Sequence, residues 1–194
     1  MVYPLRSIAV RFTTNKSTMQ KVKLFFLYAT LFLLLTSVMP VPKENRVKWI
    51  GLAEAEANLK NEKRPILIDL YTDWCGWCKV IDKKTYSNKK LAAYLADKFY
   101  TVRLNAETTE QISWNGKAYH FNSAYKVNEF AVFITKGRLE FPTTIIIPTD
   151  GSEPQAIAGY LETKDFEMIA KYFGENNYGN TSFDEYQKKF KPTW

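Results

Sequence analysis

Apolar residues recur along this chain in three patterns, each predicting a different kind of element. Four short runs rich in β-branched residues read as strands: Ile66–Tyr71, Tyr100–Leu104, Thr143–Ile147 and Gln155–Tyr160. The first is apolar at nearly every position, as expected of a strand buried on both faces of a sheet, and the third, with three consecutive isoleucines, also reads as buried. Gln155–Tyr160 reads as a last, edge-type strand. Helical spacing marks Trp49–Lys60, with Trp49, Ile50, Ala53 and Ala57 on one face. It also marks a segment opened by Ser87 as N-cap, with Leu91, Leu95 and Phe99 four apart. Asn128–Lys136 predicts a short helix whose left-handed cap is Gly137. Lys164–Phe173 carries Phe166, Ile169, Ala170 and Phe173 at i, i+3, i+4 and i+7.

Turn chemistry supplies the punctuation. Asn115-Gly116, inside the segment 112–121, is a strong hairpin signal, and Asp150-Gly151 predicts a turn between the last two strands. Ser182-Phe183-Asp184-Glu185 has the form of a capping box opening a small terminal helix. Helices alternating with strands predict an α/β fold. Its last two strands follow in tandem and should pair as an antiparallel hairpin. The expected organisation is an N-terminal segment over 1–41, a linker over 42–48, one domain over 49–174 with an insertion at about 106–137, and an extension with a short helix over 175–194.

The third pattern is the uncharged apolar run from Leu24 to Leu35, preceded by Lys21 and Lys23. Basic residues followed by an apolar stretch of about 7–15 residues describe a secretory signal. Carried on to Val41 the run reaches 18 residues, enough for a membrane anchor through residues 24–41. Cleavage and anchoring both remain open, since Thr36–Pro40 holds no clean small-x-small site; Met19 is an alternative start to Met1. Either fate sends the remainder out of the cytoplasm, which predicts an exported, periplasmic or otherwise extracytoplasmic domain.

Charge changes little. The chain has 27 Lys and Arg against 20 Asp and Glu, but five of the bases (Arg6, Arg11, Lys16, Lys21, Lys23) lie in the first 40 residues, which hold no acid. The remainder is close to neutral. No basic stripe or reading motif supports a nucleic-acid partner.

Only two cysteines occur, Cys75 and Cys78. A bridge between them would constrain almost no unfolded-chain entropy, so reactivity explains the pair better than stapling. A metal site would need more ligands than two cysteines supply, and the single histidine, His120, reads as a member of its hairpin. No metal or other cofactor is therefore expected. Cys75 falls where a buried strand gives way to a helix, whose unsatisfied N–H groups favour a thiolate. Cys78 lies one turn further on. These positions assign Cys75 as nucleophile and Cys78 as the thiol that resolves a mixed disulfide.

Asp73-Trp74-Cys75-Gly76-Trp77-Cys78-Lys79 resembles the thioredoxin active-site signature, and the resemblance extends over residues 50–173. It implies a thioredoxin fold, a central mixed sheet flanked by helices, with a hairpin-plus-helix inserted before the strand that follows the cis-proline. Within that resemblance Asp69 matches the buried acid that relays a proton near the resolving cysteine, and Arg103 falls where a basic residue often sits beside it. Pro142 matches the cis-proline facing the cysteines, which makes Phe141 and Thr143 substrate contacts along with Trp74, Gly76 and Trp77. Two features depart from the pattern: Trp77 stands where proline is usual, and the Gln111–Lys136 insertion adds about twenty residues near the active edge, where partner choice often resides.

The resemblance is nearest to exported bacterial thiol–disulfide reductases, such as the C-terminal domain of the membrane interchange transporter. It implies disulfide-containing protein substrates and an upstream dithiol donor. A disulfide-forming oxidase and a noncatalytic redox-sensitive peptide-binding or chaperone module are the alternatives.

Overall fold

The computed structural model describes residue 21 and residues 46–194, the latter within one compact unit, Lys43–Trp194. The segment 1–41 expected to direct export lies outside the described residues apart from Lys21. Among the described residues no helix is long and apolar enough to cross a membrane.

A four-stranded sheet forms the centre, in the order β2, β1, β7, β8. Strand β1 (Ile66–Tyr71) pairs parallel with β2 (Tyr100–Asn105) and antiparallel with β7 (Thr143–Ile147), which pairs antiparallel with β8 (Gln155–Ala158). Ile50 adds a parallel bridge to Val102 at the outer edge of β2. Because neighbours in a strand face opposite ways, β1 feeds two cores. Ile66, Ile68 and Leu70 pack with Leu52 and Ala55 of α1 (Leu52–Asn58) and with Phe130 and Ile134 of α4 (Glu129–Thr135). Leu67 packs on the other face with Ile81 of α2 (Gly76–Lys84), Leu91 and Leu95 of α3 (Lys89–Lys98), and Phe166 of α5 (Thr163–Gly174). Asp69 shares that second face.

The insertion is built from two small ladders. β3 (Ile112–Trp114) and β4 (Lys117–Tyr119) form the hairpin, with Asn115 and Gly116 both at positive φ as its two-residue turn requires. β5 (Phe121–Asn122) and β6 (Val127–Asn128) form a second ladder that hydropathy had not marked, because two-residue strands carry no periodicity. Trp114 and Tyr119 bury their rings against Phe130, joining the insertion to the first core.

Several boundaries differ from expectation for local reasons. The first helix begins at Leu52, not Trp49, because the Ile50 N–H is taken by the Thr101 carbonyl and holds that stretch extended. Asn88, not Ser87, caps α3, accepting from Lys90 and Leu91 N–H; the Ser87 hydroxyl instead donates to the Lys83 carbonyl. β8 stops at Ala158, where Gly159 turns at φ 97°. His120 is exposed and lies beyond the β3–β4 ladder rather than within it. The chain is docked from Val47, which is buried in the second core. Beyond α5, α6 (Phe183–Lys189) opens at Ser182, whose hydroxyl accepts from the Glu185 N–H. Thr193 and Trp194 N–H donate to the Glu167 carboxylate, which holds the C-terminal segment against α5.

Candidate active site

The sheet topology dictates where the site assembles. β1 and β7 are antiparallel neighbours, with Leu70 opposite Thr143. The loop that leaves β1 and the turn that enters β7 therefore emerge at the same end of the sheet. The first ends at Cys75, with Cys78 in the first turn of the helix that follows; the second carries Phe141 and Pro142, whose shared peptide bond is cis.

Cys75 and Cys78 form a disulfide with Cα atoms 5.3 Å apart. Cys75 is the N-cap of α2 and its Sγ accepts the Cys78 N–H at 3.0 Å. The sulfur thus sits on the electropositive end of a helix, where a thiolate is favoured. Cys75 is 5% exposed and Cys78 2%. Among the described residues neither is free.

Around the buried sulfurs stands an aromatic rim. Trp74 is 67% exposed and Trp77 60%. Trp74 lies edge-on to Phe141 at 5.8 Å between ring centroids, so the cysteine loop and the cis-proline turn meet across this pair. Trp77 lies beside Tyr160 at 5.6 Å. A side chain at Gly76 would meet open space. Among the described residues Phe141 makes no backbone hydrogen bond, whereas the Pro142 carbonyl accepts from Gly159 N–H at 2.8 Å. An open peptide group beside a sheet end is suited to pair with an extended chain. The expected role of Thr143 changes here. It is buried, and its hydroxyl donates to the Glu140 carbonyl at 2.6 Å, so its side chain does not reach the rim.

Behind the sulfurs lies a row of polar groups on the sheet face covered by α2. Register sets Arg103, Asp69 and Thr144 side by side across β2, β1 and β7. Asp69 is fully buried; Tyr86 O–H donates to its Oδ1 at 3.3 Å and Arg103 Nε stands 3.2 Å from its Oδ2. Burial pushes the Asp69 carboxyl up to about 6, against the opposing pull of Arg103 and the Tyr86 hydrogen bond. Arg103 also reaches Asp82 of α2 at 3.3 Å and lies over the rings of Tyr71 and Trp49. Cys78, Asp82 and Arg103 line one cavity of about 210 Å³.

The structure therefore brings together Cys75, Cys78, Trp74, Gly76, Trp77, Phe141 and Pro142 at one end of the sheet, with Asp69 and Arg103 on the α2 face beneath. Sequence reasoning missed Tyr86, Asp82 and Glu107. Tyr86 lies 17 residues from Asp69 with no spacing rule to link them, and only the packing of its ring between Trp49 and Phe166 aims its hydroxyl inward.

A four-stranded mixed sheet, a disulfide at the head of a helix and a cis-proline opposite it define a thioredoxin-like domain, and the thioredoxin-like family model matches residues 48–133. Over 113 residues the chain is 29% identical to the thiol:disulfide interchange protein DsbD of Escherichia coli K12, covering 57% of this chain and 17% of that protein. Over 119 residues it is 31% identical to the protein of the same name from Yersinia enterocolitica, covering 59% and 18%. The chain thus spans less than a fifth of the length of these relatives. Among solved structures, a thioredoxin-fold protein from Helicobacter pylori superposes with a TM-score of 0.50 at 15% identity, covering 77% of this chain and 89% of that one, which shows the shared fold.

Proposed function

We propose that this chain is a thiol–disulfide oxidoreductase that reduces or exchanges disulfides of exported proteins through the Cys75–Cys78 couple. The observation that carries this reading is the placement of Cys75 Sγ at the N-terminus of α2, in the loop whose Trp74 meets Phe141 of the cis-proline turn at 5.8 Å between ring centroids. The relatives named as thiol:disulfide interchange proteins support the same chemistry.

In the dithiol state, helix N–H groups stabilise the Cys75 thiolate, which attacks one sulfur of a substrate disulfide. The substrate S–S bond breaks, one substrate sulfur leaves as thiolate and takes a proton from solvent, and the other is bonded to Cys75. Cys78 then gives its proton to the Asp69 carboxylate and attacks Cys75 Sγ. The Cys75–Cys78 bond forms as the Cys75–substrate S–S bond breaks, the second substrate sulfur leaves as thiolate and takes up a proton, Asp69 gives its proton back to solvent, and two electrons have passed to the substrate. A dithiol donor returns the pair to the reduced state. Trp74, Trp77 and Phe141 bound the substrate chain. The basic and apolar residues at 21–35 support a domain held outside the cytoplasm, periplasmic where a second membrane encloses it.

The test is the reduction potential of the couple, measured against glutathione, together with turnover of a disulfide-bonded protein. A potential near about −270 mV supports a reductase; one near about −120 mV, as in strong oxidants of this fold, overturns that direction. Loss of turnover in Cys75→Ser with peptide binding retained is expected. Undiminished activity in that variant would overturn the enzymatic reading.

A further inference from the structure

The buried acid is not held by one cation alone. Tyr86 is almost fully buried, and its backbone N–H bonds to the Ile81 carbonyl at 3.0 Å just past the end of α2. Its ring stands edge-on to Trp49 at 4.9 Å and to Phe166 at 5.5 Å. This cage leaves the hydroxyl one carboxylate within reach, Asp69 Oδ1. On the other side, Arg103 is divided. Its Nε faces Asp69 Oδ2 without the alignment of a hydrogen bond, while its Nη1 bonds Asp82. Asp82 sits on α2 one turn beyond Cys78 and lines the same cavity as Cys78 and Arg103. A surface carboxylate thus draws the guanidinium outward while a buried phenol draws the acid inward.

We propose that Tyr86 and Asp82 are positioning residues for the Asp69 carboxylate, Tyr86 by donating its hydroxyl and Asp82 by sharing the Arg103 guanidinium, so that Asp69 stands ready to take the Cys78 proton. The proposal deepens the oxidoreductase reading and rests on it for the identity of the proton donor. The charged and titratable groups around Asp69 come from the elements packed on it: Arg103 from β2, Asp82 from α2, and Tyr86 from the turn after it, while Cys78, Lys79 and Lys83 of α2 line the cavity that Asp82 and Arg103 share. From β7 the neighbour is the Thr144 hydroxyl, which faces the Tyr86 phenol.

The two residues act with opposite sign. Tyr86→Phe removes a donor to the charged form. Asp82→Asn removes a like charge and releases Arg103 to Asp69. The experiment follows the Asp69 carboxyl carbon by ¹³C NMR across pH in the full oxidised chain, and in parallel the pH profile of resolution of a Cys75 mixed disulfide. Tyr86→Phe should move both midpoints up by about half to one pH unit, and Asp82→Asn should move them down by a few tenths. Midpoints that match the parent, or that move in the opposite directions, overturn the positioning roles. The NMR arm reads the placement of Asp69 even if no substrate is turned over. Shifts there with no interchange by the parent would therefore sink the functional reading, and loss of the proton-transfer role would go with it.

Discussion

Trp74 Nε1 donates a 2.9 Å hydrogen bond to Glu107 Oε1, tying the residue before Cys75 to the loop that begins the insertion. The bond holds an exposed indole at a fixed angle to Phe141, so the insertion shapes one wall of the rim. Glu107→Ala should leave stability within about 1 kcal/mol, since exposed polar contacts contribute little. Turnover of a protein substrate should fall about two- to tenfold, with a small disulfide unaffected. Parallel kinetics with the two substrates check this, and equal losses on both would point to a damaged redox centre instead.

The two cysteines should be separable by trapping. With Cys78→Ser, attack by Cys75 proceeds and resolution stops, so a mixed disulfide should accumulate; with Cys75→Ser none should form. Nonreducing electrophoresis and intact mass read the adduct directly. An adduct on Cys78 of the Cys75→Ser variant would reverse the assignment of roles.

Asp69 links activity to stability. Its folded carboxyl is raised to about 6 from an ordinary 3.8. Between those values the native state keeps a proton that the unfolded chain has released, so stability falls as pH rises through this window. Above it, the penalty is complete and amounts to roughly 3 kcal/mol. Asp69→Asn should therefore melt higher than the parent at pH 7.5, and the gain should vanish near pH 4. Resolution of the mixed disulfide at pH 7.5 should slow about tenfold or more. Thermal melts at the two pH values and single-turnover kinetics test both halves.

Glu167 binds the other end of the domain together. Its buried carboxylate accepts from the Thr193 and Trp194 N–H groups and pairs with Lys171 at 2.7 Å. Burial alone would raise its carboxyl, but these donors outweigh it and hold it below the usual range. The stability it supplies is present above that range and lost as pH falls through it. Glu167→Ala should cost about 2–3 kcal/mol, or about 5–10 °C in melting temperature, with interchange unchanged at 25 °C. A melt identical to the parent would show that the C-terminal segment is held by its aromatic contacts, Trp194 on Tyr94 among them.

The sequence by itself determined what local chemistry encodes. Apolar runs fixed the strands β1, β2 and β7, Asn115-Gly116 fixed the insertion hairpin, and the strand-to-helix junction at Cys75 fixed where a thiolate would be stabilised. Asp69 could be suspected from its match to the buried acid of the thioredoxin resemblance, supported by its apolar neighbours in the strand. Tertiary structure alone decided its partners. Arg103 reaches Asp69 through strand register, and Tyr86 through an aromatic cage assembled from segments 37 and 80 residues away. Glu107 meets Trp74 across 33 residues. The reason is physical: periodicity reports which face of an element is buried, whereas a hydrogen bond between distant side chains depends on how two elements pack, which no local pattern records. The ladder β5–β6 is too short to carry any periodicity, and the cap at Asn88 is settled by which of two adjacent polar side chains, Ser87 or Asn88, takes the helix N–H groups.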